Sequence, residues 1–269
     1  MSDIPGDCLI LIFYELKDDP NSLYSCILVN RLWCTIGVNI LWKNPYETLY
    51  NSKASNQSLS FNKLYNTIIY LLPTSSKQLL IENEVVSIPT SFLNSKPLFN
   101  YISFLSEIST DLIDEMESTL IKNDHKYLEK SKLLEQEYYK LFITNCKNIT
   151  VFNWKTELPL YQYPETSTFF SQLHTLIDIE DEEDNCDEIL NILADYSPKT
   201  FKIFSFNKDF IFSVDGLQNF FEKWRGRIPI KFVARFYRCR YFTQEHIKII
   251  KKYFDEDVVD VKLSHLYYN

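Results

Sequence analysis

The sequence predicts a mixed fold, between the α+β and α/β classes, with a small helical unit at the N-terminus and a larger body of alternating strands and helices. Two observations support this prediction. Three short, strongly apolar helical patterns fill the first 45 residues, and from residue 149 onward short β-rich runs recur at intervals of roughly 25 to 29 residues. The composition, with 45% apolar and 16% aromatic residues, supplies enough material for a packed interior.

Charge and composition disfavour several function classes. The formal net charge of −8 argues against general binding to nucleic acids or membrane surfaces, which requires an electropositive face. The four glycines form no phosphate-binding loop, and the six cysteines show no Cys-x-x-Cys pairing. Residues 1–14 lack both a basic leader and an apolar run of membrane length. We therefore expect a protein of the cytoplasm, the nucleus or both, with no membrane partner.

The first helix is expected to start near Pro5. Its apolar stripe consists of Leu9, Ile12, Phe13 and Leu16. Other apolar side chains cover the remaining faces of the same helix. A helix that is apolar all round must be buried on more than one side.

Two further short helices are expected before residue 43. Asp19 and Pro20 supply cap and turn chemistry for a second helix that is apolar almost all round, and a third segment leads from Arg31 to Leu41 and Trp42. So small a unit hides at most about 60% of its chain area, and the three helices cannot bury all this surface among themselves. Either the rest of the chain or a separate protein must cover the remainder.

The order of these residues resembles an F-box, over residues 1–45. The F-box begins with a hydrophobic–Pro pair, continues through a spaced Leu/Ile stripe, and closes with a Val-Cys-Lys-like step, a Trp and a Leu-Trp pair. Asn30 stands where Cys or Ser is usual. The resemblance rests on Ile4, Pro5, Leu9, Ile12, Phe13, Leu16, Asp19, Leu23, Cys26, Val29, Arg31, Leu32, Trp33, Leu41 and Trp42.

The resemblance implies a three-helix module that binds the Skp adaptor and, through it, the cullin of an SCF-type ubiquitin ligase. Carried over position by position, it implies that nine residues form or support the adaptor interface. These are Pro5, Leu9, Ile12, Leu16, Leu23, Val29, Trp33, Leu41 and Trp42. Some of them must belong to the module's own core, and the sequence does not separate the two groups.

Residues 46–148 are expected to form a helical linker region with a possible first repeat. Asn and Ser are abundant in residues 51–60, which is typical of a loop. A helical pattern follows and stops at Pro73, after which residues 78–82 are expected as a first strand. Helical patterns dominate residues 97–145.

In residues 149–269 each predicted unit consists of a strand, a loop and a helix. Such units stack with their parallel strands along one face, because no unit can bury its apolar side alone. The pattern resembles the degenerate leucine-rich repeats of F-box receptors without their strict signature, and an ordinary α/β sheet is the competing fold. The expected strands are residues 149–154, 173–177, 201–206, 230–234 and 258–263, and the expected helices are residues 187–196, 214–224 and 243–254.

No catalytic or metal site is predicted. The four histidines are far apart in the sequence, and none falls in a His-Glu-x-x-His motif or at a zinc-binding Cys spacing. No Gly-x-Ser-x-Gly elbow marks a nucleophile. We therefore expect a non-catalytic protein without a cofactor.

Two segments of the body are strongly charged. Eight carboxylates between residues 178 and 188 are expected to form a solvated loop, since they lack the order of a calcium loop. Residues 221–252 are basic. Here Arg235, Arg238 and Arg240 are candidates for binding an acidic or phosphorylated target segment, because guanidinium groups bind carboxylates and phosphates bidentately. The alternative is that neighbouring acidic loops neutralise these charges.

Together these expectations describe a substrate receptor. It binds the Skp adaptor through the F-box and an unidentified target protein through the repeats, while other subunits transfer ubiquitin. A non-catalytic interaction scaffold unconnected with ubiquitin transfer is the alternative. Nucleic-acid binding through the basic C-terminal repeats is a third hypothesis, which the overall charge disfavours.

Overall fold

Helices and parallel strands both contribute to the fold, so the predicted mixed class is confirmed. The computed structural model describes residues 4–51, 57–86, 97–121, 126–154, 163–178, 187–206, 212–234 and 243–261. Within them the helices are α1 (Gly6–Glu15), α2 (Pro20–Ile27), α3 (Arg31–Leu41), α4 (Pro45–Asn51), α5 (Gln57–Leu71), α6 (Thr74–Glu82), α7 (Thr110–Leu120), α8 (Tyr127–Asn145), α9 (Thr166–Phe170), α10 (Asp187–Tyr196), α11 (Val214–Trp224) and α12 (Gln244–Asp255). The strands are β1 (Glu107–Ile108), β2 (Val151–Trp154), β3 (Thr175–Asp178), β4 (Ile203–Phe206), β5 (Ile230–Ala234) and β6 (Val259–Asp260).

The chain divides into two compact units. The first comprises residues 1–107 and 111–148, and the second comprises residues 108–110 and 149–269. The first unit contains the helices α1 to α6 and α8 and nearly all of α7, and the second contains the sheet strands β2 to β6 with α9 to α12. A separate domain boundary after residue 45 stays a prediction.

The core of the first unit combines long aliphatic and aromatic side chains from α5, α7 and α8. Ile68, Met116, Leu134 and Tyr138 have no exposed surface. Burial of each large apolar side chain contributes about 1.5 to 3 kcal/mol, so this core is the main source of stability for the helical unit.

The first predicted strand, at residues 78–82, is wrong, because this segment belongs to α6. Pro73 ends α5 as predicted, and it also precedes the next helix with an extended ψ of 152°. The buried side chains of α6 are Ser76, Lys77 and Leu80, a spacing that places them on one helical face. Helical periodicity therefore outweighed the short apolar run that suggested a strand.

The predicted loop at residues 51–60 is shorter than expected. The helix α4 reaches Asn51 and α5 begins at Gln57, so only residues 52–56, which lie outside the described residues, separate them. The Gln57 side-chain amide donates hydrogen bonds to the carbonyl oxygens of Leu49 and Tyr50, at 3.0 and 2.8 Å. These bonds satisfy carbonyl groups that the end of α4 leaves unpaired.

The six strands form one sheet in sequential order from β1 to β6. From β2 to β6 each strand pairs in parallel with the next. The five predicted strands and the three predicted helices of residues 149–269 are confirmed to within three residues at the described ends. The strand β1 and the short helix α9 were not predicted, since two and five residues are too few for a periodicity to stand out.

One face of the sheet carries the core of the second unit. Phe152, Leu176, Phe204 and Phe232 occupy one row across β2 to β5, and all four are buried. Side chains alternate between the two faces of a strand, so their neighbours in each strand point the other way. Those neighbouring side chains form the opposite face of the sheet.

Candidate protein-interaction surfaces

Side-chain caps define the starts of α2 and α3. The Asp19 carboxylate accepts hydrogen bonds from the hydroxyl and the backbone N–H of Ser22, at 2.6 and 3.2 Å, and these bonds lower the pKa of Asp19. The Asn30 side-chain oxygen accepts from the backbone N–H of Trp33 at 3.0 Å. Each cap satisfies a donor that a helix N-terminus leaves unpaired, so local sequence determines where both helices begin.

A small apolar core holds the three N-terminal helices together. It consists of Leu9, Phe13, Leu23 and Leu41. The ring of Phe13 meets the ring of Trp33 edge to face, with their centroids 5.3 Å apart. Aromatic pairs in this arrangement stabilise a fold by about 0.5 to 1.5 kcal/mol beyond the area that they bury.

Close contact between α2 and α3 depends on a glycine. A Cβ atom at Gly37 would overlap the side chain of Ile27 on α2. The absence of a side chain at this position therefore lets the two helices approach each other. The sequence shows the glycine but not the contact that requires it.

The structure separates the nine predicted adaptor residues into three groups. Leu9, Leu23 and Leu41 are buried in the helical core. Leu16, Trp33 and Trp42 are half-buried and pack against that core. Pro5, Ile12 and Val29 are exposed. The first group therefore supports the three helices from within, and the last group is available to a partner.

Further apolar side chains of the same helices are also exposed. On α1, Leu11 is 69% exposed, and at the turn between α2 and α3 Leu28 is 82% exposed. Leu32, on the first turn of α3, is 50% exposed. We call Leu11 and Ile12 the α1 group, and Leu28, Val29 and Leu32 the turn group.

The predicted adaptor interface did not include Leu11, Leu28 or Leu32, although Leu32 is part of the F-box-like order. A signal for them was present in the sequence, because helices that are apolar all round must expose some apolar side chains when they fold as a small unit. The sequence could not show which side faces the core, since every side carries apolar residues.

The face of the sheet opposite the aromatic row is a second candidate surface. One register row across it, from β2 to β6, consists of Val151, Thr175, Ile203, Lys231 and Asp260. The first three are half-buried and the last two are exposed. The row therefore changes from apolar to charged along the sheet, a pattern that sequence periodicity did not reveal because it depends on strand register.

The three predicted target-binding arginines, Arg235, Arg238 and Arg240, lie outside the described residues, and so do residues 179–186 of the acidic run. Some of the other basic side chains of the segment pair with carboxylates. Lys223 contacts Asp195 at 2.9 Å. These carboxylates come from helices, whereas the sequence suggested loops.

Arg225 is part of a polar network that connects α11 with α12. Its guanidinium donates to Glu222 at 2.6 Å and also pairs with Glu256. The Tyr253 hydroxyl donates to the other Glu222 oxygen at 2.5 Å. The hydrogen bonds from Arg225 and then Tyr253 lower the pKa of Glu222 to about 2. We call these four residues the helix-linking network.

The described histidines occupy unrelated environments. His174 is exposed, whereas the buried His246 contacts the Phe212 carbonyl oxygen at 2.8 Å and accepts from the backbone N–H of Thr243 at 3.1 Å. His125 and His265 lie outside the described residues. Within the described ranges, no three His, Cys, Asp or Glu side chains are grouped as metal ligands would be, and no helix has the length and apolar character to cross a membrane.

Comparisons with known proteins add no assignment to this geometry. No family model, no curated protein and no solved structure matches the chain.

Proposed function

We propose that this chain is the substrate-recognition subunit of an SCF-type cullin–RING ubiquitin ligase. The N-terminal helices would bind the Skp adaptor, and the body of the chain would bind a target protein. Ubiquitin transfer would take place on other subunits, and the receptor would act by holding the target near them, which raises the effective concentration of the reacting groups.

The observation that carries the proposal is the exposure of large apolar side chains on the three N-terminal helices. The α1 group and the turn group are half to four-fifths exposed, although the three helices share a buried core and side chains cap α2 and α3. Exposed apolar clusters on a folded unit are typical of protein-binding sites. The F-box-like order of the same residues indicates the adaptor as the partner.

The energetics are compatible with a stable complex. Burial of one large apolar side chain contributes about 1.5 to 3 kcal/mol. Burial of the five side chains of the α1 group and the turn group therefore contributes a free energy comparable to the association cost of about 4 to 15 kcal/mol. Leu28 and Leu11 gain most, because they have the most surface to bury.

The sheet of the second unit supports the target-binding part of the proposal. Its sequential parallel strands, each followed by a helix where the chain is described, are typical of leucine-rich-repeat-like bodies. The face with Ile203, Lys231 and Asp260 offers a broad surface of mixed character. We propose that this face contacts the target.

Adaptor capture by matched variants tests the proposal. We expect the Leu11→Asp, Leu28→Asp double variant to lose capture of the purified Skp adaptor, because two charges would have to be buried in the interface. Replacement of Leu9 would be uninformative, since Leu9 is 1% exposed and an aspartate there would unfold the helices. The measurement is co-purification of the full chain with the adaptor.

The control is the Leu128→Asp, Leu98→Asp double variant. Leu128 and Leu98 are 67% and 82% exposed, against 69% and 82% for Leu11 and Leu28, so the two double variants alter the same surface area with the same chemistry. Capture by the wild type and by the control, but not by the Leu11→Asp, Leu28→Asp variant, supports adaptor binding. A folded wild-type chain that fails to capture the adaptor would refute it.

Reconstitution with a cullin distinguishes a receptor from a scaffold. A receptor recruits the cullin through the adaptor into one stable assembly. Adaptor capture without cullin recruitment would instead favour an interaction scaffold that has no link to ubiquitin transfer.

A further inference from the structure

A groove in the first unit lies between the N-terminal helices and the helices that follow them. One cavity of about 510 Å³ is bordered by α2, α3, α4, α5 and the segment around Tyr101. Its walls are mainly apolar and include Tyr24, Ile27, Leu41 and Trp42. Tyr24 is 60% exposed, so part of this apolar wall is open to solvent. We call this cavity the apolar end.

An adjoining cavity of about 510 Å³ has a different character. It is lined by Asp18, Asp19 and Glu47, together with Lys17. The two cavities adjoin at Pro20 and Thr48, which line both, and we call the pair the groove. We call the second cavity the acidic end.

The carboxylates of the acidic end are not neutralised by cations. Asp19 accepts hydrogen bonds from Ser22, and Glu47 accepts one from the Asn44 amide at 2.9 Å, and both of these donors are neutral. Among the described residues, Asp18, Asp19 and Glu47 form no salt bridge. This end of the groove therefore favours a positive charge.

The charges that line the acidic end support the same conclusion. In the described part of the chain, Lys17 is the only cation there, against the three carboxylates of Asp18, Asp19 and Glu47. Its ammonium lies over the Tyr14 ring, 5.3 Å from the ring centroid. Burial and then the charge of Glu47 raise the pKa of Glu107, as expected where negative charges repel. Lys63 lines the apolar end and disfavours a second cation there.

We propose that this groove binds a peptide segment of a partner protein in which a Lys or Arg side chain stands next to large apolar side chains. The basic group would lie among Asp18, Asp19 and Glu47, and the apolar side chains would pack against Tyr24 and Trp42. Each cavity alone has the volume of a single small-ligand site. An extended chain with successive side chains spans both, whereas a small molecule fills one.

The groove is separate from the surface that carries the adaptor proposal. Leu11 and Leu28 are not among the described residues that line either cavity. The inference therefore does not rest on adaptor binding, and the two proposals can fail independently.

Selection from a phage-displayed library of random nonapeptides on the full chain tests the inference. We expect the recovered peptides to carry Lys or Arg beside Leu, Phe or Trp. Synthetic copies of the recovered peptides are then measured by fluorescence anisotropy. Their dissociation constant for the Asp18→Asn, Glu47→Gln double variant should be at least about fivefold higher than for the wild type, because the attraction to the basic side chain is removed. The Tyr24→Ser variant should weaken binding similarly through lost apolar contact.

Matched controls lie in the second unit. Asp255→Asn, Glu245→Gln removes two exposed carboxylates, and Tyr196→Ser removes a tyrosine that is 48% exposed. Both controls should bind the selected peptides as the wild type does. Circular dichroism confirms that each variant remains folded.

Three outcomes would overturn the inference. They are the recovery of no peptide above background, the recovery of peptides without a basic residue, and equal binding to the groove variants and their controls. Loss of adaptor capture in the Tyr24→Ser variant would also overturn it, since the adaptor would then be the occupant of the groove. Loss of capture confined to the Leu11→Asp, Leu28→Asp variant leaves the two sites distinct.

Discussion

Gly216 shows how one position brings two helices of the second unit together. The Asp187 carboxylate, at the start of α10, accepts from the backbone N–H of Ser213 at 2.8 Å and pairs with the Ser213 hydroxyl. The same hydroxyl accepts from the Gly216 N–H at 2.8 Å and caps α11. A side chain at Gly216 would overlap the Asp187 carboxylate.

Substitution of Gly216 should therefore destabilise the second unit. We expect Gly216→Ala to lower the free energy of unfolding by about 1 to 3 kcal/mol, because the new methyl group displaces Asp187 and breaks its hydrogen bonds to Ser213. Urea denaturation followed by circular dichroism measures the change. The control is Gly6→Ala, since a Cβ at Gly6 meets nothing within 4 Å. Equal effects at the two positions would contradict this account.

At the scale of elements, neighbouring helices are joined by polar networks in addition to apolar contacts. The helix-linking network joins the C-terminal part of α11 to that of α12 through Glu222 and Arg225. Its charged members Glu222, Arg225 and Glu256 are partly exposed, whereas Tyr253 is buried. The contribution of the charged groups therefore depends on pH and salt more than that of the core does.

The helix-linking network predicts a specific pH dependence. The pKa of Glu222 is about 2 in the folded protein and 4.5 ordinarily, so its ionised form favours the folded state. This contribution is complete above pH 4.5 and is lost as the pH falls from 4.5 towards 2. We expect Glu222→Gln to show a smaller loss of stability over that interval than the wild type does, measured as urea midpoints at several pH values.

A carboxylate outside the network provides the control for this measurement. Glu245 is exposed at the start of α12 and forms no ion pair with any residue that the structure describes. Glu245→Gln should keep the pH dependence of the wild type between pH 4.5 and 2. If both variants behave alike, the network does not contribute to acid stability.

At the scale of the whole molecule, the second unit is stabilised by aromatic contacts between neighbouring strands and between strand and helix. The Phe232 ring on β5 lies 5.6 Å from the Phe204 ring and 4.7 Å from the Phe206 ring, both on β4. It also lies 5.7 Å from the Phe221 ring on α11. These contacts join β4, β5 and α11 in one core, so the loss of one ring affects all three elements.

Removal of the Phe232 ring should destabilise the body as a whole. We expect Phe232→Ala to cost about 3 to 5 kcal/mol of unfolding free energy, because the cavity would open in the core between β4, β5 and α11. Phe254→Ala is the matched control, since Phe254 is 36% exposed and should cost less than about 1 kcal/mol. Chemical denaturation monitored by tryptophan fluorescence, with Trp224 on α11 as a local probe, distinguishes the two.

Features with a local cause were predictable from the sequence. The cap at Asp19, the end of α5 at Pro73, and the strand–helix order after residue 149 all follow from neighbouring residues or short periodicities. The segment at residues 78–82 was misread because a short apolar run fits a buried strand and a buried helix equally well.

The sequence by itself determined the mixed class, the three N-terminal helices and the alternating body, since each depends on local chemistry or on spacing along the chain. Only the tertiary structure decided that Leu9 faces the core while Leu11 and Leu28 face solvent. It also decided strand register and brought α2 and α4 together around one groove. Residues distant in sequence decide these features, and a helix that is apolar on every side carries no mark of which side they cover.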